Sequence, residues 1–168
     1  MWTWGRGFFP LDALGVPIDT QGEDGDTALH IGCLHGQTAV VVECLKRGAS
    51  VTATDEDGST PLHDASAGGH YMIAKMLIQK GAKIDALDSD GESPLHLATN
   101  GGHQAIVDLL LSALGDAAPG LLKKPNGEGA TPIDLAEDPA LIAKLKIACG
   151  EEDEDEDGAG AAFKRTKA

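Results

Sequence analysis

Six histidines, three cysteines and two acidic turns are the parts of this 168-residue chain that could do chemistry. His30, His35, His63, His70, His96 and His103 offer imidazoles for proton transfer or metal ligation. None of them lies in an H-E-x-x-H zinc helix, and the sequence has neither a G-x-S-x-G nucleophile elbow nor a phosphate-cradling G-x-x-x-x-G-K-[ST] loop. Asp55-Glu56-Asp57-Gly58 and Asp88-Ser89-Asp90-Gly91 have the look of calcium loops. In that register the first ligand would be Ala53 or Ala86, which carry no side-chain oxygen, so the motif fails at its first position. Cys33, Cys44 and Cys149 cannot all pair within the chain, and none has the C-x2-C spacing of a zinc site. The expectation is a protein with no catalytic residue, no cofactor and no metal.

The histidines follow a period instead. Thr27-Ala28-Leu29-His30, Thr60-Pro61-Leu62-His63 and Ser93-Pro94-Leu95-His96 recur at one constant step, taken twice in succession. Asp24-Gly25, Asp57-Gly58 and Asp90-Gly91 precede the three boxes, Gly36, Gly69 and Gly102 follow them, and Gly48-Ala49 matches Gly81-Ala82. A weaker copy, Thr131-Pro132-Ile133-Asp134-Leu135-Ala136, starts five positions later than a third equal step from Ser93 would place it. The five extra residues are placed in a loop around Ala118, Pro119, Gly120 and Leu121. In front, Gly15-Val16-Pro17-Ile18-Asp19-Thr20 stands as far before Thr27 as Gly48 to Ala53 stands before Thr60. A fixed period of this kind marks units that bury their apolar faces only by stacking.

Each unit predicts the same elements. The Thr or Ser of the box is an N-cap, and the Pro after it supplies a preset φ where no N–H is needed. Leu62, Ala65 and Ser66 put small groups on a short helix that Gly69 ends. Ile73, Met76 and Leu77 at i, i+3, i+4 spacing predict a second helix, terminated by Gly81. Ala82 to Asp90 is then an extended finger turning at Asp-Gly. Asp138-Pro139 starts a last helix over Ala140 to Ala148, closed by Gly150.

This period and box resemble the ankyrin repeat, over about residues 24–149 with a half-repeat in front. The resemblance implies an all-α ankyrin-repeat solenoid of helix-turn-helix units with β-hairpin-like fingers, followed by a disordered acidic C-terminal tail. Its parts are a capping half-repeat at 1–23, repeats at 24–56, 57–89 and 90–127, a degenerate cap at 128–150 and the tail at 151–168. It implies that His30, His63, His96, His70 and His103 hydrogen-bond the turns between neighbouring units, and that Cys33 and Cys44 fill small core positions. Only His35 is off pattern. Trp2, Trp4, Phe8 and Phe9 precede the first repeat, either as an apolar cover over it or as a docking peptide for a partner.

With 13 Lys+Arg against 27 Asp+Glu the net charge is −14, which argues against nucleic-acid or anionic-membrane partners. Residues 151–168 hold seven acids and three bases, so −4 lies in the tail and −10 on residues 1–150. The N-terminus lacks the basic region and apolar run of a secretory signal, and no 18-residue apolar stretch is expected after it. Unpaired cysteines suit a reducing compartment, so the chain is expected to be a monomer of the cytoplasm or nucleus.

Proteins that resemble this one hold partners with their finger tips and the exposed side of their first helices. In register, those positions are Asp24, Asp26, Leu34 and His35 in repeat one, Glu56, Asp57, Ser59, Ala67 and Gly68 in repeat two, and Ser89, Asp90, Glu92, Asn100 and Gly101 in repeat three. No Lys or Arg occurs in 22–26, 53–59 or 86–92. Asp24, Asp57 and Asp90 belong to the turn scaffold of the family; Asp26, Glu56 and Glu92 are the informative excess. The expected function is a non-enzymatic interaction module, an adaptor or scaffold, that binds a protein partner with a basic segment through its fingers and concave helical face. The alternatives are an acidic-tailed chaperone or escort of a basic client such as a ribosomal protein, and an inhibitor of a kinase.

Overall fold

A computed structural model describes residues 15–150. The aromatic N-terminal segment and the acidic tail lie outside the described residues. Three short helices, α1 (Ala28–Leu34), α3 (Pro61–Ala67) and α5 (Pro94–Asn100), alternate with three longer ones, α2 (Thr38–Lys46), α4 (Tyr71–Gln79) and α6 (Gln104–Leu114). The short helices have under two full turns, too few to persist alone. The box supplies the missing order: the N-cap N–H of Thr27, Thr60 and Ser93 donates to Nδ1 of His30, His63 and His96 at 3.2, 3.0 and 3.2 Å. Pro61 and Pro94 open α3 and α5 where their missing N–H costs nothing.

Packing follows the repeat register. The first helices stack in one row, α1 on α3 and α3 on α5, and the second helices in another, with α4 between α2 and α6. Leu29, Leu62 and Leu95 occupy equivalent positions and are all 0 % exposed. In the row of second helices, the outer row, Val41, Ala74 and Val107 are equivalent and buried, as are Cys44, Leu77 and Leu110. Each buried Leu contributes about 2 kcal/mol. All three cysteines are buried as free thiols, and burial raises the pKa of Cys33 and of Cys44.

The fingers are turns rather than β-hairpins, and no strand occurs among the described residues. Each tip is closed by the backbone bond from Gly22 N–H to Asp26 O, Asp55 to Ser59, Asp88 to Glu92 or Asn126 to Ala130, at 2.8 to 3.1 Å, with a second inside it from the turn glycine N–H back to Gly22, Asp55, Asp88 or Asn126 O. Neighbouring tips are joined by another: Glu56 N–H to Asp24 O at 3.3 Å, Ser89 to Asp57 at 2.8 Å and Gly127 to Asp90 at 2.6 Å. A single bond per neighbour is too few for a ladder. Gly25 shows how close the tips come: its φ is +76°, and a Cβ there would stand 2.7 Å from the Glu56 nitrogen.

The C-terminal unit departs from the expectation in three ways. The five-residue insertion is not a loop. After Gly115 turns the chain at φ +53°, residues Gly115–Ala117 form a 3-10 turn and Ala118–Leu122 form α7, because Ala118, Leu121 and Leu122 recur at i, i+3, i+4 and are buried. The weak box forms a turn over 132–135 in place of a helix, in which the Asp134 carboxylate accepts from the Thr131 N–H and hydroxyl. Those bonds hold its pKa below the usual carboxylate range. Finally, Gln104–Leu122 is an apolar run of 19 residues, longer than any expected from the sequence. It is broken at Gly115, and Ile106, Val107 and Leu110 face the core. The last helix, α8 (Pro139–Cys149), packs on α7 and is tied to α6 by Lys144 Nζ to Asp108 Oδ1 at 2.7 Å and by Gln104 to Asp138.

Candidate functional site

Within each finger one side chain pins the tip. Asp55, Asp88 and Asn126 each accept, through Oδ1, the N–H four positions on, at 2.8, 2.8 and 2.9 Å. Those side-chain oxygens face inward to the backbone. Asp24, Glu56, Asp57, Ser89 and Asp90 are exposed at the tips, where only their backbone is bonded to the next finger. None of the tip carboxylates forms an ion pair with a described residue. The tips thus make a row of anions along one edge of the stack.

The other two members of the sequence-predicted excess sit deeper. Asp26 is half-buried, and burial raises its pKa, with the Asp55, Asp24 and Asp57 charges adding to the shift and His30 opposing it. Glu92 is half-buried as well: its Oε1 accepts from Asn126 Nδ2 at 3.0 Å, tying finger three to finger four. Ser59 and Glu92 also serve through their backbone. Ser59 O accepts from His30 Nε2 and Glu92 O from His63 Nε2, both at 3.2 Å. Lys124 O accepts from His96 Nε2 at 3.0 Å. A backbone N–H aimed at Nδ1 leaves the ring proton on Nε2, from which each box histidine donates to the next unit. Burial lowers the pKa of His63 and of His96, which favours that neutral ring.

Leu34, Ala67 and Asn100 are exposed at equivalent places near the ends of the first helices; Leu34 is 44 % exposed. Two of their carbonyls join repeats, with Leu34 O accepting from His70 Nε2 and Ala67 O from His103 Nε2, both at 3.1 Å. Gly68 and Gly101 are small for the same reason: a Cβ at either would lie 2.6 Å from Cδ2 of His70 or His103. Repeat one has Gln37 in that register, which leaves room for His35, exposed and off pattern. Of the fourteen sequence-predicted residues, Asp24, Glu56, Asp57, Ser89 and Asp90 make the tip row and Asp26 is half-buried behind it; Ser59, Glu92, Gly68 and Gly101 join repeats through a carbonyl or through small size; Leu34, His35, Ala67 and Asn100 are exposed at the ends of the first helices, where the Leu34 and Ala67 carbonyls join repeats as well.

Sequence reasoning missed Asp64. It stands on α3 in register with Ile31 and Leu97, half-buried, and its Oδ2 is a buried atom with no hydrogen-bond partner. Burial, then the charges of Asp26 and Asp55, push its pKa up to about 8. The signal available was the register itself, which sets one acid between two aliphatic residues. The described residues contain no cluster of three or more metal-ligating side chains.

Comparison with known families gives two matches. A model described as ankyrin repeats (3 copies) covers residues 11–88, and one described as ankyrin repeat covers residues 90–123. No curated protein matches the chain.

Proposed function

The chain belongs to the ankyrin-repeat family, whose members are protein-protein interaction modules, and on that premise we propose that it is a non-enzymatic adaptor that takes a basic segment of a protein partner along its finger tips. The observation that carries this reading is the tip row: Asp24, Glu56, Asp57 and Asp90 are exposed, lie on adjacent fingers and have no ion-paired cation among the described residues. Like charges held this close repel one another until a partner supplies Lys or Arg, and solvent-exposed charges of this kind raise association rate and set orientation more than they add contact energy. Leu34, Ala67 and Asn100, exposed on the first helices, give the same partner an uncharged strip to cover. The cytoplasm or nucleus is the setting we propose, where the three thiols stay reduced.

The test is binding of a Lys/Arg-rich peptide across a salt series, with intact protein and with Glu56→Gln/Asp57→Asn/Asp90→Asn. The reading expects association to slow steeply with salt and the triple variant to lose most of that salt dependence. Equal affinity for the peptide and for an acidic one of the same length would refute it.

A further inference from the structure

Asp64 is the only Asp, Glu, Lys or Arg on the row of first helices; α1, α3 and α5 otherwise carry uncharged side chains and the box histidines. It falls in the middle repeat. In register with it stand Ile31 on α1 and Leu97 on α5, and all three are half-buried. Each lies one helical turn before a residue of the exposed strip: Ile31 before Leu34, Asp64 before Ala67 and Leu97 before Asn100. The carboxyl group therefore borders the strip that a partner would cover, with an aliphatic residue to either side.

The fold leaves this carboxyl without a donor. Its Oδ2 is buried and has no hydrogen-bond partner, while the residue as a whole is only half-buried and so meets solvent at one edge. The groups that act on its charge are Asp26 and Asp55, from fingers one and two, which repel it, and Cys33 of α1, whose own ionisation it opposes. His30 of α1, His63 of α3 and His96 of α5 have both ring nitrogens engaged, by their own N-caps and by a carbonyl of the next unit. On α4, Tyr71 and Lys75 are exposed, and no ion pair among the described residues includes Asp64. An apolar partner residue laid over this place would leave the oxygen buried and unpaired, and an acidic one would meet Asp26 and Asp55. Lys or Arg suits both halves of the surface, since its stem covers aliphatic groups while its head carries the missing donors and the opposite charge.

We propose that Asp64 anchors the basic segment: one Lys or Arg of the partner lies across α3 with its stem on Ile31 or Leu97 and its head on the Asp64 carboxyl, which passes its proton to solvent as the cation arrives. This rests on a basic partner bound along the finger tips, and it adds where one of that partner's cations is held and what its arrival costs. In the free protein burial and the two finger acids keep Asp64 protonated up to about pH 8. Binding of the basic segment is therefore linked to loss of a proton, and by reciprocity a rise in pH tightens it.

The test is isothermal titration calorimetry of a Lys/Arg-rich peptide into the full-length protein at pH 7, in phosphate and in Tris. The two buffers differ in heat of ionisation, so the difference in measured heat counts protons. Wild type should release close to one proton more per bound peptide than Asp64→Asn, whose amide keeps the shape and has no such proton to lose. Relative to that variant, wild type should also bind about tenfold more tightly at pH 7 than at pH 6. Histidine titration is common to both proteins and drops out of the comparison. Salt-dependent binding with the same proton count in both proteins would overturn the anchor and leave the tip row standing. So would binding that tightens toward low pH in wild type alone, which would make the neutral acid a donor to the partner. Failure of the peptide to bind either protein would refute the tip row, and the anchor would fall with it.

Discussion

Asp64→Asn should make the protein more stable at neutral pH, and by an amount that grows with pH. The folded state holds the Asp64 proton up to about pH 8, whereas the unfolded chain releases it near the ordinary 3.8. An acid whose pKa is raised on folding contributes stability that is fully present below its unfolded pKa and is lost as pH rises toward the folded value. Stability should therefore fall by slightly more than about 1 kcal/mol per pH unit across this window and level off above pH 8. Between pH 5 and pH 8 that is about 4 kcal/mol, a large share of the roughly 5–15 kcal/mol that holds a typical domain together. The amide of Asn has the same shape, carries no charge to desolvate, and removes this dependence.

The assay is urea unfolding followed by far-ultraviolet circular dichroism at pH 5, 6, 7 and 8, for wild type and Asp64→Asn side by side. His63 and His96 also titrate here, with the opposite sign: their lowered pKa values mean that stability is present above the unfolded value of 6.5 and is lost as pH falls below it. Both proteins share those histidines, so the difference between the two curves isolates Asp64. That difference should be smallest at pH 5 and should widen steadily to pH 8. Parallel curves would refute the reasoning, because they would mean that Asp64 ionises alike in the folded and unfolded chain.

Other substitutions follow from the same geometry. His63→Ala removes the bonds to Thr60 and to Glu92 O and leaves buried groups unsatisfied, so thermal unfolding should show a loss of about 2–4 kcal/mol. Gly25→Ala forces a side chain into a left-handed turn against the Glu56 backbone; a loss of about 1–3 kcal/mol by chemical denaturation is expected, with less at Gly129, where nothing lies within 4 Å of the added carbon. Lys144→Ala breaks an exposed ion pair to Asp108, and a double-mutant cycle on the two should give a coupling below about 1 kcal/mol. Leu110→Ala empties a fully buried position in the outer row and should cost about 2–5 kcal/mol.

The repeat was legible because stacking makes the same demand of every unit: a capped first turn, a histidine to bridge units, a leucine beneath it. Residues under one shared constraint announce themselves by recurrence. The insertion hid for the opposite reason, since Gly115, Pro119 and Gly120 have the composition of a loop while Ala118, Leu121 and Leu122 provide the buried side of a helix only when α8 lies beside it. The acidic edge was legible in kind but not in rank. Asp26, Glu56 and Glu92 look alike in sequence, yet Asp26 is half-buried, Glu92 binds Asn126, and of the three it is Glu56 that stands exposed at a tip. Which carboxylate is exposed depends on what the next finger offers it, and that is set a full repeat away in the chain. The same logic separates the exposed row from Asp64: at the tips a charge is screened by solvent and available to a partner, whereas in register between Ile31 and Leu97 it is desolvated, so the fold there favours the protonated acid over the anion. A partner carrying Lys or Arg therefore meets its complement at the finger tips, and the inner-helix face beside them is less negative at neutral pH than the formal charge count implies.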